Sequence, residues 1–111
     1  MMDWAVSNAT VKFAIINADV VGNNTIVAAV ASKKIRVLQF GLVASTAGTS
    51  RWESGADGTA LTGLMILPVG GSVTTPFSEV GLFETAAGVL LNLELSVALA
   101  TADGWVVYQE V

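Results

Sequence analysis

The sequence predicts an all-β fold, a single-domain antiparallel β-sandwich or jelly roll of about eight short strands. β-branched and aromatic residues occur along the whole chain, as strands favour. The chain has 11 glycines, which interrupt it at short intervals, as turns between short strands require. No window of about 11 residues or more shows an amphipathic helical stripe with caps. At 111 residues, the chain is the size of one domain.

Two regions of the chain contain the expected strands. Residues 23–111 are expected to form the sandwich domain, whereas residues 1–22 depart from a clean strand pattern and are expected to form either an arm or a first strand. The strands are expected at Val11–Ile16, Thr25–Val30, Lys34–Ala44, Ser50–Glu53, Leu61–Leu67, Gly81–Thr85, Leu91–Leu99 and Trp105–Val111.

The clearest strand pattern lies near residue 93. Leu91, Leu93 and Leu95 alternate with Asn92 and Glu94, so this strand has one apolar and one polar face. We therefore expect the leucines to face the core.

The last strand has apolar residues on both faces. Trp105 and Val107 share one face, and Val106 and Tyr108 share the other. We expect the core to cover one face and a neighbouring subunit to cover the other.

Turn residues separate the expected strands. Asp103-Gly104 lies between two strand patterns and predicts a two-residue hairpin, since a type I′ turn requires positive φ at both central positions. Further turns are expected at Asn23-Asn24, Gly55–Gly58 and Gly70-Gly71, and a loop over Val69–Thr75 is expected between Pro68 and Pro76.

The absence of cysteine and histidine limits the catalytic and metal-binding groups that the chain can supply. Disulfides, thiolate metal sites and the commonest general base are excluded, so we expect no enzyme and no cofactor. A small glycan hydrolase is the one enzyme alternative, because glycosidases use a pair of carboxyl groups. Glu53 with Asp57, or Glu79 with Glu84, could supply such a pair. The turn at Gly55–Gly58 offers one carboxylate, too few for a calcium loop.

Charge and hydropathy indicate the kind of partner. The net charge of −4 argues against nucleic acid or an anionic membrane as the main partner. The run Leu64–Leu67 is far shorter than the ~18 residues of a membrane span, and Met1–Trp4 shows no basic signal-peptide region. Apolar residues make up 53% of the chain and charged residues 13%. This composition predicts a homo-oligomer.

Positive and negative charges are unevenly distributed. All five basic residues precede position 52, together with two acidic residues, and the other seven acidic residues follow it. Complementary patches between subunits are one interpretation, and acids that keep an apolar protein soluble are the other.

Aromatic and basic residues supply the candidate interface. The aromatic residues anchor the core or an interface, or they form a sugar-stacking platform. The basic cluster at positions 33, 34 and 36 has two interpretations. It contacts an acidic surface of a capsid or another subunit, or it is the solvent-exposed start of a strand, where its charges discourage pairing with the edge of another sheet. The candidate interface residues are Trp4, Lys33, Lys34, Arg36, Trp52, Trp105 and Tyr108.

Several stretches resemble a group of small tailed-bacteriophage virion proteins. They are Asn24–Val30, Lys33–Leu38, Glu53–Gly63, and Phe83–Gly88 followed by Leu91–Leu93, so the resemblance covers roughly residues 23 to 111. The motifs are turn-rich strand sequences, and no functional residue is carried over from the family.

The resemblance implies a capsid decoration, or cement, protein. Such a protein is a β-sandwich or jelly roll, commonly trimeric, that binds the major capsid protein on the capsid surface of the virion after synthesis in the host cytoplasm. The alternatives are a head-fibre or tail module that binds a host receptor or glycan and, from a different class, the small glycan hydrolase. Fold alone does not decide between them.

Overall fold

The computed structural model describes residues 6–96 and 102–111, which form two antiparallel β-sheets and contain no helix. The predicted all-β class is confirmed. Ten strands are present in these residues instead of about eight, because short pairings of two or three residues join the longer ones. The strands are β1 Lys12–Ala18, β2 Gly22–Val27, β3 Ile35–Ala44, β4 Gly48–Ser54, β5 Thr59–Ala60, β6 Met65–Leu67, β7 Ser72–Thr74, β8 Phe83–Glu84, β9 Leu91–Leu95 and β10 Ala102–Glu110.

The first sheet has the strand order β1-β10-β3-β7, and β8 also pairs with β3. Residues 12–18, in the N-terminal segment, form a strand, β1, that pairs with β10 along its whole length. A β-bulge interrupts the pairing of β10 with β3, where Val107 lies opposite Gln39 and Tyr108 lies opposite Val37. Leu38 is the extra residue of the bulge.

The second sheet has the strand order β2-β9-β4-β5, with β6 also paired to β4. At its centre, Trp52 of β4 lies opposite Leu93 of β9, and Glu53 lies opposite Asn92. This register sets one row of side chains towards the first sheet and the next row towards the outside.

The core lies between the two sheets. Trp52 is fully buried, and its ring contacts Phe40 edge-on at 5.4 Å between centroids and Phe83 at 6.2 Å. The predicted inward face of the β9 strand is confirmed, since its three leucines are buried. The buried apolar residues of the cluster are Ile16, Ala18, Val27, Ile35, Val37, Phe40, Leu42, Ala44, Trp52, Leu67, Leu91, Leu93, Leu95, Ala102 and Val106.

The hairpin predicted at Asp103-Gly104 is wrong. Both residues lie within β10 and pair with β1 on one side and β3 on the other. Glycine is needed at 104 because a Cβ there would collide with the carbonyl oxygen of Gly41 in β3. Close approach of two backbones, and not a reversal of the chain, explains this glycine.

Other turn predictions have mixed outcomes. The turn over Gly55–Gly58 is confirmed, with the Gly58 N–H donating to the Gly55 carbonyl at 3.1 Å. The Gly70-Gly71 turn is confirmed by a 2.8 Å hydrogen bond from the Gly71 N–H to the Pro68 carbonyl. Asn23 and Asn24 lie in β2, so the turn expected there is wrong, and the expected loop Val69–Thr75 contains β7. Residues 97–99 of the strand expected at Leu91–Leu99 lie outside the described residues.

Candidate functional site

The outer surface of the first sheet is apolar. Residues that are directly opposite in an antiparallel pair point to the same side, and β1 pairs Phe13 with Val107 and Ile15 with Trp105. Val43 of β3 lies on the same side, next to Asp103. We call Phe13, Ile15, Val43, Trp105 and Val107 the outer apolar face.

The side chains of the outer apolar face are exposed. Phe13, Ile15 and Val43 have 64%, 73% and 47% of their surface open to solvent. Trp105 and Val107 are half-buried. The Trp105 ring lies across Gly41, where an added Cβ would be 2.8 Å from its Cε2 atom. Glycine at 41 thus leaves room for the indole against the β3 backbone.

A shallow pocket continues this surface towards the other end of β10. The pocket has a volume of about 190 Å³ and is lined by Val6, Val11, Leu38, Phe77 and Gln109, together with Ser7 and Glu79. The bulge turns Leu38 outward into it. Gln109 holds the segment of residues 6–11 against the sheet, because its Nε2 donates to the carbonyls of Ser7 at 3.2 Å and Ala9 at 2.8 Å.

The outer surface of the second sheet is polar across β2, β9 and β4, whereas Ile66 of the short strand β6 is an exposed apolar residue at its margin. Glu53 is fully buried there and accepts hydrogen bonds from Asn92 Nδ2 at 2.9 Å and from Arg51 Nε at 3.0 Å. Asn92 Nδ2 also donates to Asn23 Oδ1 at 2.9 Å. Arg51 Nη2 lies 3.6 Å from Glu94 Oε1. We call Asn23, Arg51, Glu53, Asn92 and Glu94 the outer polar face.

Glu94 has an altered titration on this face. Burial and the negative charge of Glu53 raise the pKa of the Glu94 carboxyl above its ordinary value of 4.5, and a hydrogen bond to Glu53 and the charge of Asp57 add to the effect. The nearby Arg51 charge opposes the shift. The sheet register therefore brings Glu53 close to Glu94, a pairing that spacing in the sequence did not indicate.

The basic cluster Lys33, Lys34 and Arg36 is largely neutralised. Arg36 Nε lies 3.2 Å from Glu84 Oε1, and Lys34 Nζ lies 3.3 Å from Glu84 Oε2. Arg36 is buried and Lys33 is exposed. Of the three, Lys33 is therefore the most accessible to a binding partner.

The remaining candidate residues lie in different places. Trp52 is not an interface residue, because its side chain is enclosed in the core. There it can neither contact another subunit nor stack on a sugar. Tyr108 packs partly against the core, on the inner side of the first sheet. Trp105 lies on the outer apolar face. Trp4 lies outside the described residues.

The exposed residues of β1 were not among the candidates. Phe13 and Ile15 share a strand with the apolar Ala14 and Ile16, so β1 is apolar on both faces. The same two-sided pattern predicted a second covered face for the last strand, and it would have found these residues in β1.

Metal-binding clusters and membrane-spanning helices are absent from the described residues. In residues 6–96 and 102–111, no three Asp, Glu, His or Cys side chains gather closely enough to hold a metal ion. The described part of the chain contains no helix that is long and apolar enough to cross a membrane. In comparisons with known proteins, the chain matches no family model, no curated protein and no solved structure.

Proposed function

We propose that this chain is a non-enzymatic structural protein that binds the assembled capsid of a tailed bacteriophage and stabilises it as a decoration protein. In this proposal it acts as a homotrimer on the virion surface and contacts the major capsid protein. The observation that carries the proposal is the contrast between the two outer faces of the sandwich. One is apolar and the other is polar, which suits a module that contacts two different surfaces.

The acidic residues support docking over catalysis. Glu53 is buried and held by Arg51 and Asn92, whereas a glycosidase carboxyl must reach the glycosidic oxygen of a bound sugar. Glu84 is paired with Arg36 and Lys34. These carboxylates hold the fold together, so the glycan hydrolase is the weakest alternative.

Stabilisation of a shell follows from mass action. A ligand that binds the assembled lattice better than its free subunits shifts the equilibrium towards the lattice. A trimer on a site made by several shell subunits makes several weak contacts at once, and avidity exceeds each contact by about 10²- to 10⁴-fold. The binding free energy therefore comes from contacts with several shell subunits and stabilises their association.

A glycan- or receptor-binding module remains the second candidate, and Trp105 favours it. The half-buried indole lies across Gly41 on the outer side of the sheet, and an aromatic ring that is partly open to solvent is suited to stacking on a sugar. Glycan binding that is lost in Trp105→Ala, with no binding to shells, would favour this candidate.

Particles that lack this protein test the proposal. Adding the wild-type protein back should raise the temperature at which such particles lose DNA, and the protein should bind assembled shells but not free shell subunits. Lys33→Glu should weaken docking more at low salt, where exposed charges are least screened. Lys12→Glu is the wrong control because Lys12 is paired with Glu110. Ile66→Ser, an exposed neutral change, is the matched control.

Two outcomes would overturn the proposal. One is that stripped particles survive heating as well as complete ones. The other is that the added protein does not rebind to them.

A further inference from the structure

We infer that the outer apolar face is the surface through which one copy of this chain packs against another. The inference deepens the proposed homotrimer by assigning its interface, and it rests on the proposed function only for the number of copies. Around a threefold axis, each copy turns the same face inward, so Phe13 and Ile15 of the three copies meet near the axis.

The extent of the surface supports a protein partner. Three side chains of the face, Phe13, Ile15 and Val43, are large, apolar and exposed. The adjoining pocket, which Glu79 also lines, adds the exposed Val6, Val11 and Phe77, so the continuous surface has six such side chains. If each presents on the order of 100 Å², given that aromatic side chains bury 150–250 Å², the surface comes to on the order of 600 Å². This approaches the ~800 Å² that each partner buries in a standard interface.

The distribution of charge supports a second copy as that partner. The register places residues 13, 15 and 17 of β1, residues 103, 105 and 107 of β10, residues 39, 41 and 43 of β3, and residues 72 and 74 of β7 on this side. Asp103 is the only charged residue among them. A chain of net charge −4 would repel its own copies through a face that carried its acidic residues. Here Glu53 and Glu94 lie on the outer polar face of the second sheet. Glu84 pairs with Arg36 near the pocket end of the first sheet, where Arg36 and Lys34 neutralise it.

The position of β1 supports the same partner. It is the edge strand of the first sheet and pairs with β10 on one side. Phe13 and Ile15, two of its three outward residues, are apolar, and its one charged residue, Lys12, is in an ion pair with Glu110. Exposed edge strands of monomers usually carry charges or proline that discourage association. The apolar face thus reaches the margin of the sheet, where a neighbouring copy covers it.

The experiment compares wild-type protein with the double variant Phe13→Lys/Ile15→Lys and the matched control Ile66→Lys. Ile66 is 80% exposed and lies in β6 of the second sheet. Sedimentation equilibrium should show wild type and Ile66→Lys as the same oligomer. The double variant should associate at least about 100-fold more weakly, because two charges replace central apolar contacts. A far-ultraviolet circular dichroism melt of each variant checks that it is folded.

Cysteine cross-linking provides a second measurement that does not depend on charge. The chain has no cysteine, so a single cysteine reports one position. Ile15→Cys should form intersubunit disulfides under mild oxidation, whereas Ile66→Cys should stay reduced under the same conditions. Cross-linking through position 66 and not through position 15 would overturn the inference.

The outcomes separate this inference from the proposed function. A monomeric wild type, or a double variant that stays oligomeric, overturns the inference even when the wild type binds shells. A double variant that stays oligomeric but no longer binds shells would assign the face to the shell protein and would also overturn it. An oligomer that is lost in the double variant, in a protein that never binds shells, supports the inference and overturns the proposed function.

Discussion

Gly104 of β10 lies directly against the carbonyl oxygen of Gly41 in β3, and the two strands approach each other there with no room for a side chain. On the outer side, the indole of Trp105 covers Gly41. One pair of glycines thereby allows both the close packing of two central strands and the placement of the half-buried tryptophan over β3.

We expect Gly104→Ala to destabilise the fold strongly. The new methyl group would collide with backbone atoms of β3, which move only if the β10–β3 pairing opens. The cost should be about 2–4 kcal/mol, in the range of severe overpacking and lost sheet pairing. Urea denaturation measures it.

Gly63→Ala is the control for this change, since a Cβ at position 63 meets no atom within 4 Å. The control should change the unfolding free energy by less than about 0.5 kcal/mol. Equal effects at 63 and 104 would show that the close approach of the strands is not what requires glycine.

Trp52→Ala should cost about 3–5 kcal/mol of unfolding free energy, as large-to-small changes of buried aromatic residues do. The side chain is fully buried between Phe40 and Phe83, and its loss would leave a cavity between the sheets. Trp52→Phe keeps a ring in contact with both neighbours and should cost clearly less. Chemical denaturation of both variants, with Ile66→Ala as an exposed control, makes the comparison. If the alanine variant were as stable as the control, Trp52 would not be a core residue.

Leu93→Asp should abolish soluble folding, whereas Glu94→Ala should change stability by no more than about 0.5 kcal/mol. Leu93 is fully buried opposite Trp52, and an unpaired carboxylate there costs several kcal/mol, comparable to the ~5–15 kcal/mol stability of a small domain. Glu94 points to the other side of the same strand. Expression in the soluble fraction and a thermal melt report the two results. Equal tolerance at both positions would contradict the register of β9.

Glu94→Gln should raise the melting temperature at pH 7. The pKa of Glu94 is raised in the folded protein by burial and by Glu53. The carboxyl therefore holds its proton more tightly in the folded state than in the unfolded state. Its stabilising contribution is complete below its ordinary pKa of 4.5 and is lost as the pH rises through the raised pKa.

Glutamine stays neutral and escapes this loss, so the advantage of the variant should shrink as the pH falls below 4.5. Thermal melts from acidic to neutral pH follow it. Asp57, which also raises the pKa of Glu94, provides a matched variant, because Asp57→Asn should give a smaller gain of the same sign. A melting temperature for Glu94→Gln below that of wild type at pH 7 would indicate that the contact with Arg51 outweighs the repulsion.

Strand periodicity predicted the parts of the fold that depend on local pattern. The inward leucines of β9 and the two sides of β10 follow from alternation alone. The Asp103-Gly104 hairpin failed because the turn preference of this dipeptide is local, while its actual role depends on Gly41, more than sixty residues earlier in the sequence. Tertiary contact overrode local propensity there.

The polar and basic groups show the same limit. Alternation placed Asn92 on an outward, polar side, yet it is buried, and its Nδ2 donates hydrogen bonds to Glu53 and Asn23. The sequence shows no acidic partner for Arg36, whereas in the structure the pairing of β8 with β3 places Glu84 beside it. Both pairings depend on strand register between distant segments, which composition and spacing do not contain.

The pairing of β1 with β10 determines when the fold is completed during synthesis. Lys12 and Glu110, which form an ion pair across this edge, are 98 positions apart in sequence. The ribosome must therefore release nearly all of the described chain before the first sheet has its full set of strands, and such distant closure makes for slow folding, of milliseconds to seconds in β-rich domains. Until then, β1 has no partner strand, and the apolar side chains of Phe13 and Ile15 are exposed. Newly made chains are thus most prone to aggregate just before β10 leaves the ribosome.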